Sequence, residues 1–223
     1  SPVTALSRNG TWHLTVNGQT VTADRVILAT NGYSSEDLPP WLRARTLPVQ
    51  SSILLTRPLT DAEAEDAGWT TAQMAYDSRR LLHYFRRLPD GRMLFGMRGG
   101  LTARPAEQAA IAKRIRKDFA AAFPVWADVE ITHEWSGLVC LMASGHPFVG
   151  AVPDHPGLDA ALGFHGNGVA MGSYAGHALA KALLGTPTGL PDFLAKPPTR
   201  FPLGRHRRAL LRPAYRIAET FDL

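Results

Sequence analysis

The chain of 223 residues has one cysteine, Cys140. That excludes a disulfide framework and any multi-cysteine metal site, and it suits a reducing, cytoplasmic setting. No apolar run approaches the roughly 20 residues of a membrane-spanning helix. Ser1-Pro2-Val3-Thr4 has neither the basic segment nor the apolar core of a secretory signal. It also lacks methionine and leads at once into strand-like sequence, so we expect a chain that begins inside a larger protein. His-Glu-x-x-His, paired-cysteine zinc spacing and the phosphate-binding P-loop are missing, as is the Gly-x-Ser-x-Gly elbow of a serine nucleophile. All histidines but His165 are scattered without ligand spacing, and no metal is expected. No period of 20–50 residues repeats. Net charge is +5, with an excess in Arg200, Arg205, Arg207, Arg208, Arg212 and Arg216. Aromatic stacking platforms are not interleaved among these arginines. The tail therefore reads as a solvated basic surface, and nucleic acid is not an expected partner.

What is present is 45% apolar and 19% charged, enough for a sizeable core in one domain or two small ones. Thr11 to Val16 alternates with period two between Asn9-Gly10 and Asn17-Gly18, the signature of tight hairpins. Val26-Ile27-Leu28-Ala29 is a continuous apolar run, as in a strand buried on both faces, and it ends at Thr30-Asn31-Gly32. Leu47 to Thr56 is strand-like. Thr60 caps a short helix over Asp61 to Gly68, with Glu63 completing a capping box. Leu81 to Leu88 and Arg92 to Met97 flank the turn Pro89-Asp90-Gly91. Ala106 to Phe123 is the clearest helix, with Ile111, Ile115, Phe119, Ala122 and Phe123 on one face. Val129 to Cys140 and Pro147 to Val152 read as further strands.

The most informative stretch is Gly163-Phe164-His165-Gly166-Asn167-Gly168. The run Leu158 to Leu162 enters it and a helix, Val169 to Leu184, leaves it. Glycines let backbone approach a ligand closely, and the helix start aims free N–H groups and a positive dipole end at it. The spacing is not Gly-x-Gly-x-x-Gly, because Met171 stands where the third glycine would fall. The loop is therefore expected to hold something electron-rich other than an ordinary pyrophosphate. In the helix behind it, Gly172, Gly176 and Ala180 form a small-residue stripe that we expect to lie on a sheet.

The order of these signals resembles the FAD-dependent oxidoreductases of the D-amino-acid oxidase, glycine oxidase and sarcosine oxidase family, above all its γ-glutamylputrescine oxidoreductase branch. The matching pieces are Val26 to Gly32, Leu47-Pro48-Val49-Gln50, Thr56-Arg57-Pro58-Leu59, Asp77-Ser78-Arg79, Tyr84-Phe85-Arg86 and Asp90 to Gly96. Phe123-Pro124, Trp135-Ser136-Gly137-Leu138, Pro147-Phe148-Val149-Gly150, the glycine loop and Arg200 to Gly204 follow in the same order.

The resemblance implies an α/β plus α+β fold: the C-terminal part of an FAD-binding, Rossmann-like domain interleaved with a mostly antiparallel substrate-domain sheet. Residues 1–44 and 145–194 are expected in the FAD-binding part, 45–144 in the substrate part, and 195–223 in a basic tail. It implies FAD as cofactor, held by Ala29, Thr30, Asn31, Gly32, Gly163, Gly166, Asn167, Gly168 and Val169. An amine or amino acid is oxidised by hydride transfer to flavin, with Tyr84, Arg98 and His165 as substrate-side candidates.

Two departures matter. The family's N-terminal Gly-x-Gly-x-x-Gly unit, about two-fifths of a full enzyme, is not in this chain. A missing half or a partner chain is then expected, and the alternative reading is a non-catalytic binding or structural subunit. Where the amino-acid oxidases often carry Trp-x-Gly-Leu-Arg-Pro, with arginine clamping the substrate carboxylate, this chain has Val139 and Cys140. An amine with a distant or absent carboxylate is the expected substrate. Cys140 stands near the place where some relatives attach flavin covalently, without the rest of that motif, and reads as a buried inert thiol.

Overall fold

The computed structural model describes residues 1–100 and 105–220; 101–104 of the expected substrate part and 221–223 of the tail lie outside the described residues. The strands are β1 (Val3–Asn9), β2 (Thr11–Val16), β3 (Gln19–Ala23), β4 (Val26–Leu28), β5 (Thr46–Pro58), β6 (Ala75–Tyr76), β7 (His83–Arg87), β8 (Arg92–Arg98), β9 (Ile131–Met142), β10 (Phe148–Ala151) and β11 (Leu158–Leu162). The helices are α1 (Asp61–Asp66), α2 (Pro105–Ala122), α3 (Gly168–Leu183), α4 (Asp192–Ala195) and α5 (Leu211–Thr220). Two compact units form: Ser1–Pro48 with Val139–Arg207, and Val49–Leu138 with Arg208–Leu223. The expected mixture of α/β and antiparallel sheet is present.

In the first unit, β1-β2-β3 is an antiparallel meander. Its turns use Gly10 and the pair Asn17-Gly18, all with positive φ, as tight two-strand connections require. The second sheet runs β10-β11-β4. β10 and β11 are antiparallel, whereas β11 and β4 are parallel, with Val26 opposite Leu158 and Leu28 opposite Ala160. Every residue of β11 is buried. Leu158 and Leu162 join Trp12, Trp41, Leu42 and Phe148 in one core. Ala161 turns to the other face, where Val149 and the α3 residues Ala175, Ala178 and Leu179 form a second. Asp159 is buried as well, and Arg25 Nη2 pairs with it at 3.0 Å.

Three expectations change here. β4 is at an edge of its described sheet, and Ile27 is 44% exposed rather than buried on both faces. The stripe Gly172, Gly176 and Ala180 does not face the sheet: a Cβ on either glycine would meet nothing within 4 Å. The packing face is the alanine–leucine face, rotated around the helix. Finally, the arginine tail is not simply solvated. Arg207 is 2% exposed, donates to the Thr46 carbonyl at 2.8 Å and forms an ion pair with Glu36.

In the second unit, the sheet order is β6-β7-β8-β5-β9. Leu54, Met93, Phe95 and Met97 from the sheet pack with Ile111, Ile115 and Phe119 of α2. Ala122, expected on that face, is exposed. Phe123 lies beyond the helix end yet stacks on Trp126 at 4.9 Å between ring centroids. The Thr60 capping box of α1 forms as expected, and Glu63 also holds Arg57 at 2.6 Å. That hydrogen bond to Arg57, with the Thr60 N–H, lowers the Glu63 carboxyl to about 2.

Candidate functional site

The parallel pairing of β4 with β11 carries the ends of two motifs to one place in the first unit. Asn31, just past β4, accepts through Oδ1 a hydrogen bond from the Gly163 N–H at 2.9 Å. The motifs are 132 residues apart in sequence. Gly163 has φ +78, and a Cβ there would stand 2.2 Å from Met142 Cγ. Only glycine fits both constraints. His165 and Gly166 continue the turn at φ 52 and 100. Asn167 then donates to Phe164 O at 2.8 Å, and Met171 makes its bond to Asn167 O at 2.9 Å as α3 begins. Gly32 is buried, Asn31 is partly exposed, and Ala29 and Thr30 are exposed.

This geometry divides the loop's N–H groups. The Asn167 N–H is spent inside the turn. Those of Gly168 and Val169 belong to the first helical turn, where no acceptor exists within a helix, and the helix dipole adds positive potential there. Val169 is 94% exposed, Gly166 is exposed, and a Cβ on Gly168 would meet only Phe164 at 3.8 Å. Gly168 does not have positive φ, so its lack of a side chain keeps space open rather than relieving backbone strain. A helix start of this kind favours negative charge. No Gly-x-Gly-x-x-Gly occurs in the chain for the diphosphate part of a dinucleotide.

His165 is tied down rather than free to swing. Its N–H donates to Cys140 O at 3.1 Å, and its Nε2 accepts from the Met142 N–H at 3.2 Å. Nε2 acts there as an acceptor and carries no proton. Cys140 is fully buried, and that burial pushes its thiol up to about 11. The thiol stays protonated, as an inert core cysteine does.

The other substrate-side candidates lie in the second unit, on one face of its sheet. Ser51 of β5 pairs in register with Arg98 of β8, and Tyr84 of β7 with Gly96 of β8. The Tyr84 ring lies across Gly96, where a Cβ would come within 2.1 Å of it. The Tyr84 hydroxyl bonds Ser51 Oγ at 2.9 Å. Burial raises the Tyr84 hydroxyl, while Ser51 and the charge of Arg98 oppose that rise. Arg98 acts in the same way on Tyr215 of α5, also raised by burial. Sequence reasoning missed Ser51 and Tyr215. Period-two alternation from Gln50 would have put Ser51 on the face of Arg98, but nothing local marks Tyr215. Among the described residues no group of His, Cys, Asp and Glu could hold a metal ion, and no helix is long and apolar enough to cross a membrane.

Residues 1–182 match the family described as FAD dependent oxidoreductase. The chain belongs to that family. A relative from Rhizobium meliloti, named "Probable oxidoreductase OrdL", is 36% identical over 193 residues, or 86% of this chain and 43% of the relative. The γ-glutamylputrescine oxidoreductase of Escherichia coli is 29% identical over 197 residues, or 87% of this chain and 44% of the relative. The chain thus spans less than half the length of these curated relatives. Among solved structures, glycine oxidase from Geobacillus kaustophilus has the same fold over 90% of this chain and 52% of its own, with TM-score 0.69 and 16% identity. L-proline dehydrogenase from P. horikoshii matches with TM-score 0.70 and 18% identity, over 88% of this chain and 52% of its own.

Proposed function

We propose that this chain is the C-terminal portion of an FAD-dependent amine oxidoreductase, with the glycine loop against the pyrimidine edge of the flavin ring. The observation that carries the reading is the Asn31–Gly163 hydrogen bond at 2.9 Å, which joins two glycine-bearing strand ends beside the open N-terminus of α3. Bound FAD supplies the acceptor for a hydride from the substrate.

The chain's own residues supply position and electrostatics. The N–H groups of Gly166, Gly168 and Val169 donate to the electron-rich ring edge, and the α3 dipole reinforces them. The Asn167 N–H, already used in the turn, drops out of the donor set. Asn31 holds Gly163 in its left-handed conformation. Ala29, Thr30 and Gly32 end the neighbouring strand in small side chains, so a ring can approach. The hydrogen bonds of His165 to β9 fix the loop.

On the substrate side, Tyr84 and Arg98 are the candidate contacts, oriented by Ser51. Val139 stands where the amino-acid oxidases often carry a carboxylate-clamping arginine, and valine makes no bidentate pair with a carboxylate. The favoured substrate is an amine whose carboxylate is distant or absent, of the γ-glutamylated polyamine class named for the Escherichia coli relative. The diphosphate half of FAD needs a further phosphate-cradling unit, in the same polypeptide or a partner, so the chain alone binds FAD weakly or not at all. The proposed setting is the cytoplasm, where a single protonated thiol persists.

The test is kcat/KM of the full-length enzyme for γ-glutamylputrescine, glycine, sarcosine and D-alanine. A charged hydrogen bond is worth about 1.5–3 kcal/mol, so losing the clamp should lower kcat/KM for α-amino acids by one to two orders of magnitude at about 1.4 kcal/mol per tenfold. A clear preference for a simple α-amino acid would overturn the assignment and point to Arg98 as a replacement clamp.

A further inference from the structure

Behind the sheet of the second unit, between α2 and strands β5 and β9, lies a cavity of about 160 Å³ lined by Gln50, Ser52, Ile111, Ile115, Glu134 and Trp135, among others. Gln50 is 4% exposed and Ser52 6%. Among the described residues, neither Gln50 Oε1 nor Ser52 Oγ has a hydrogen-bond partner. Buried polar atoms are nearly always satisfied, and an orphan costs its full desolvation. Two orphans on one strand, both in the wall of one cavity, form a donor–acceptor pair waiting for a complement. The cavity is on the face opposite Ser51 and Tyr84, because successive strand residues point to opposite sides. It is thus separate from the proposed substrate face.

We propose that this cavity binds a small uncharged molecule carrying a primary carboxamide on a short aliphatic chain. The amide N–H donates to Gln50 Oε1, and the Ser52 hydroxyl donates to the amide carbonyl. The chain lies along Ile111 and Ile115 of α2, and Trp135, 46% exposed, flanks the opening. A charged head would go unpaired beside two neutral partners, at high cost. The charge of Glu134 is already matched by Arg116 Nε at 2.8 Å. An engineered cavity of about 150 Å³ admits benzene, so the volume suits a ligand of several heavy atoms.

The experiment is an amide and indole NMR titration of the full chain with butyramide, run beside butyrate and butylammonium. Saturable shifts at Ile111, Ile115 and the Trp135 indole with butyramide, and at least tenfold weaker effects with either ion, are expected. Ser52→Ala should weaken butyramide at least fivefold while leaving the melting temperature unchanged or raised, since it removes an unpaired hydroxyl. Gln50→Met should weaken it likewise. The proposal is overturned if butyramide causes no saturable shift there, if an ion binds as well, or if a folded Ser52→Ala binds butyramide as the parent does.

Discussion

Around the sheet β6-β7-β8-β5-β9, Phe95, Phe119, Phe123 and Trp126 interlock edge-to-face and stacked, with centroids 4.9–6.2 Å apart. That unit closes an aromatic core on itself. Around β10-β11-β4 the packing is different. The cores are mostly aliphatic, with Trp12 and the Trp41–Phe148 pair as their buried aromatics, while Ile27, Val169 and Leu184 remain exposed at 44%, 94% and 79%. The α3 face carrying Gly172 and Gly176 has open space in front of it. The contrast separates two uses of apolar sequence. The second unit gathers most of its aromatic side chains into one internal core. The first keeps exposed apolar surface beside a glycine loop, as the proposed flavin site requires.

Substitutions can break this contrast, and the largest effect is expected at Phe95. It is fully buried, so Phe95→Ala should cost about 3–5 kcal/mol in denaturant unfolding. A cost below about 1 kcal/mol would mean the aromatic core is not cooperative. Next is Gly163→Ala, where the added methyl meets Met142 and the residue must keep φ +78. Overpacking and left-handed backbone together predict a loss of about 2–4 kcal/mol. A variant as stable as the parent would show that the loop has relaxed elsewhere. Gly176→Ala should go the other way. With nothing near its Cβ, it should stabilise the chain by about 1 kcal/mol through helix propensity. Destabilisation would show that the α3 face is covered after all.

The smallest effect concerns pH. The hydrogen bonds that lower Glu63 to about 2 favour the folded state above the ordinary carboxylate value of 4.5. Their contribution is lost as pH falls from 4.5 towards 2. Glu63→Gln should flatten the stability profile in that window only. An unchanged acid limb in the variant would remove Glu63 from the account.

What the sequence made legible is local. Asn9-Gly10 and Asn17-Gly18 mark their hairpins because a tight turn needs positive φ, supplied by Gly10 in the first and by both residues in the second. Thr60 with Glu63 announced α1 because the cap is complete within four residues. The α2 stripe of Ile111, Ile115 and Phe119 needed only helical periodicity. The missed features depend on distant partners. Arg207 is buried because Glu36 and the Thr46 carbonyl receive it, 171 and 161 residues away, and a basic run gives no hint of that. The Gly172–Gly176 stripe reads as sheet-facing because small residues often allow close packing. Which helix face packs is decided by Val149 and Ala161, residues of other elements. At the loop, the glycines were evident, but the role of Asn31 as acceptor for Gly163 and the commitment of His165 Nε2 to β9 emerge only with the parallel β4–β11 pairing.

The central claim is that the loop before α3 is open because a flavin edge occupies it. Gly168→Val in the full-length enzyme tests this most directly, since φ at Gly168 is ordinary and only Phe164 is near its Cβ. The fold should tolerate the side chain. With melting temperature recorded alongside, the account predicts near-parental stability together with lost flavin absorbance or slower anaerobic flavin reduction by γ-glutamylputrescine. Valine keeps its N–H but holds the ring away from it, and losing one such donor contact typically costs about 2.7–4 kcal/mol, or roughly 10²–10³-fold in rate. A Gly168→Val enzyme that keeps its flavin and reduces it at the parental rate would contradict the account and leave the loop as a tight turn.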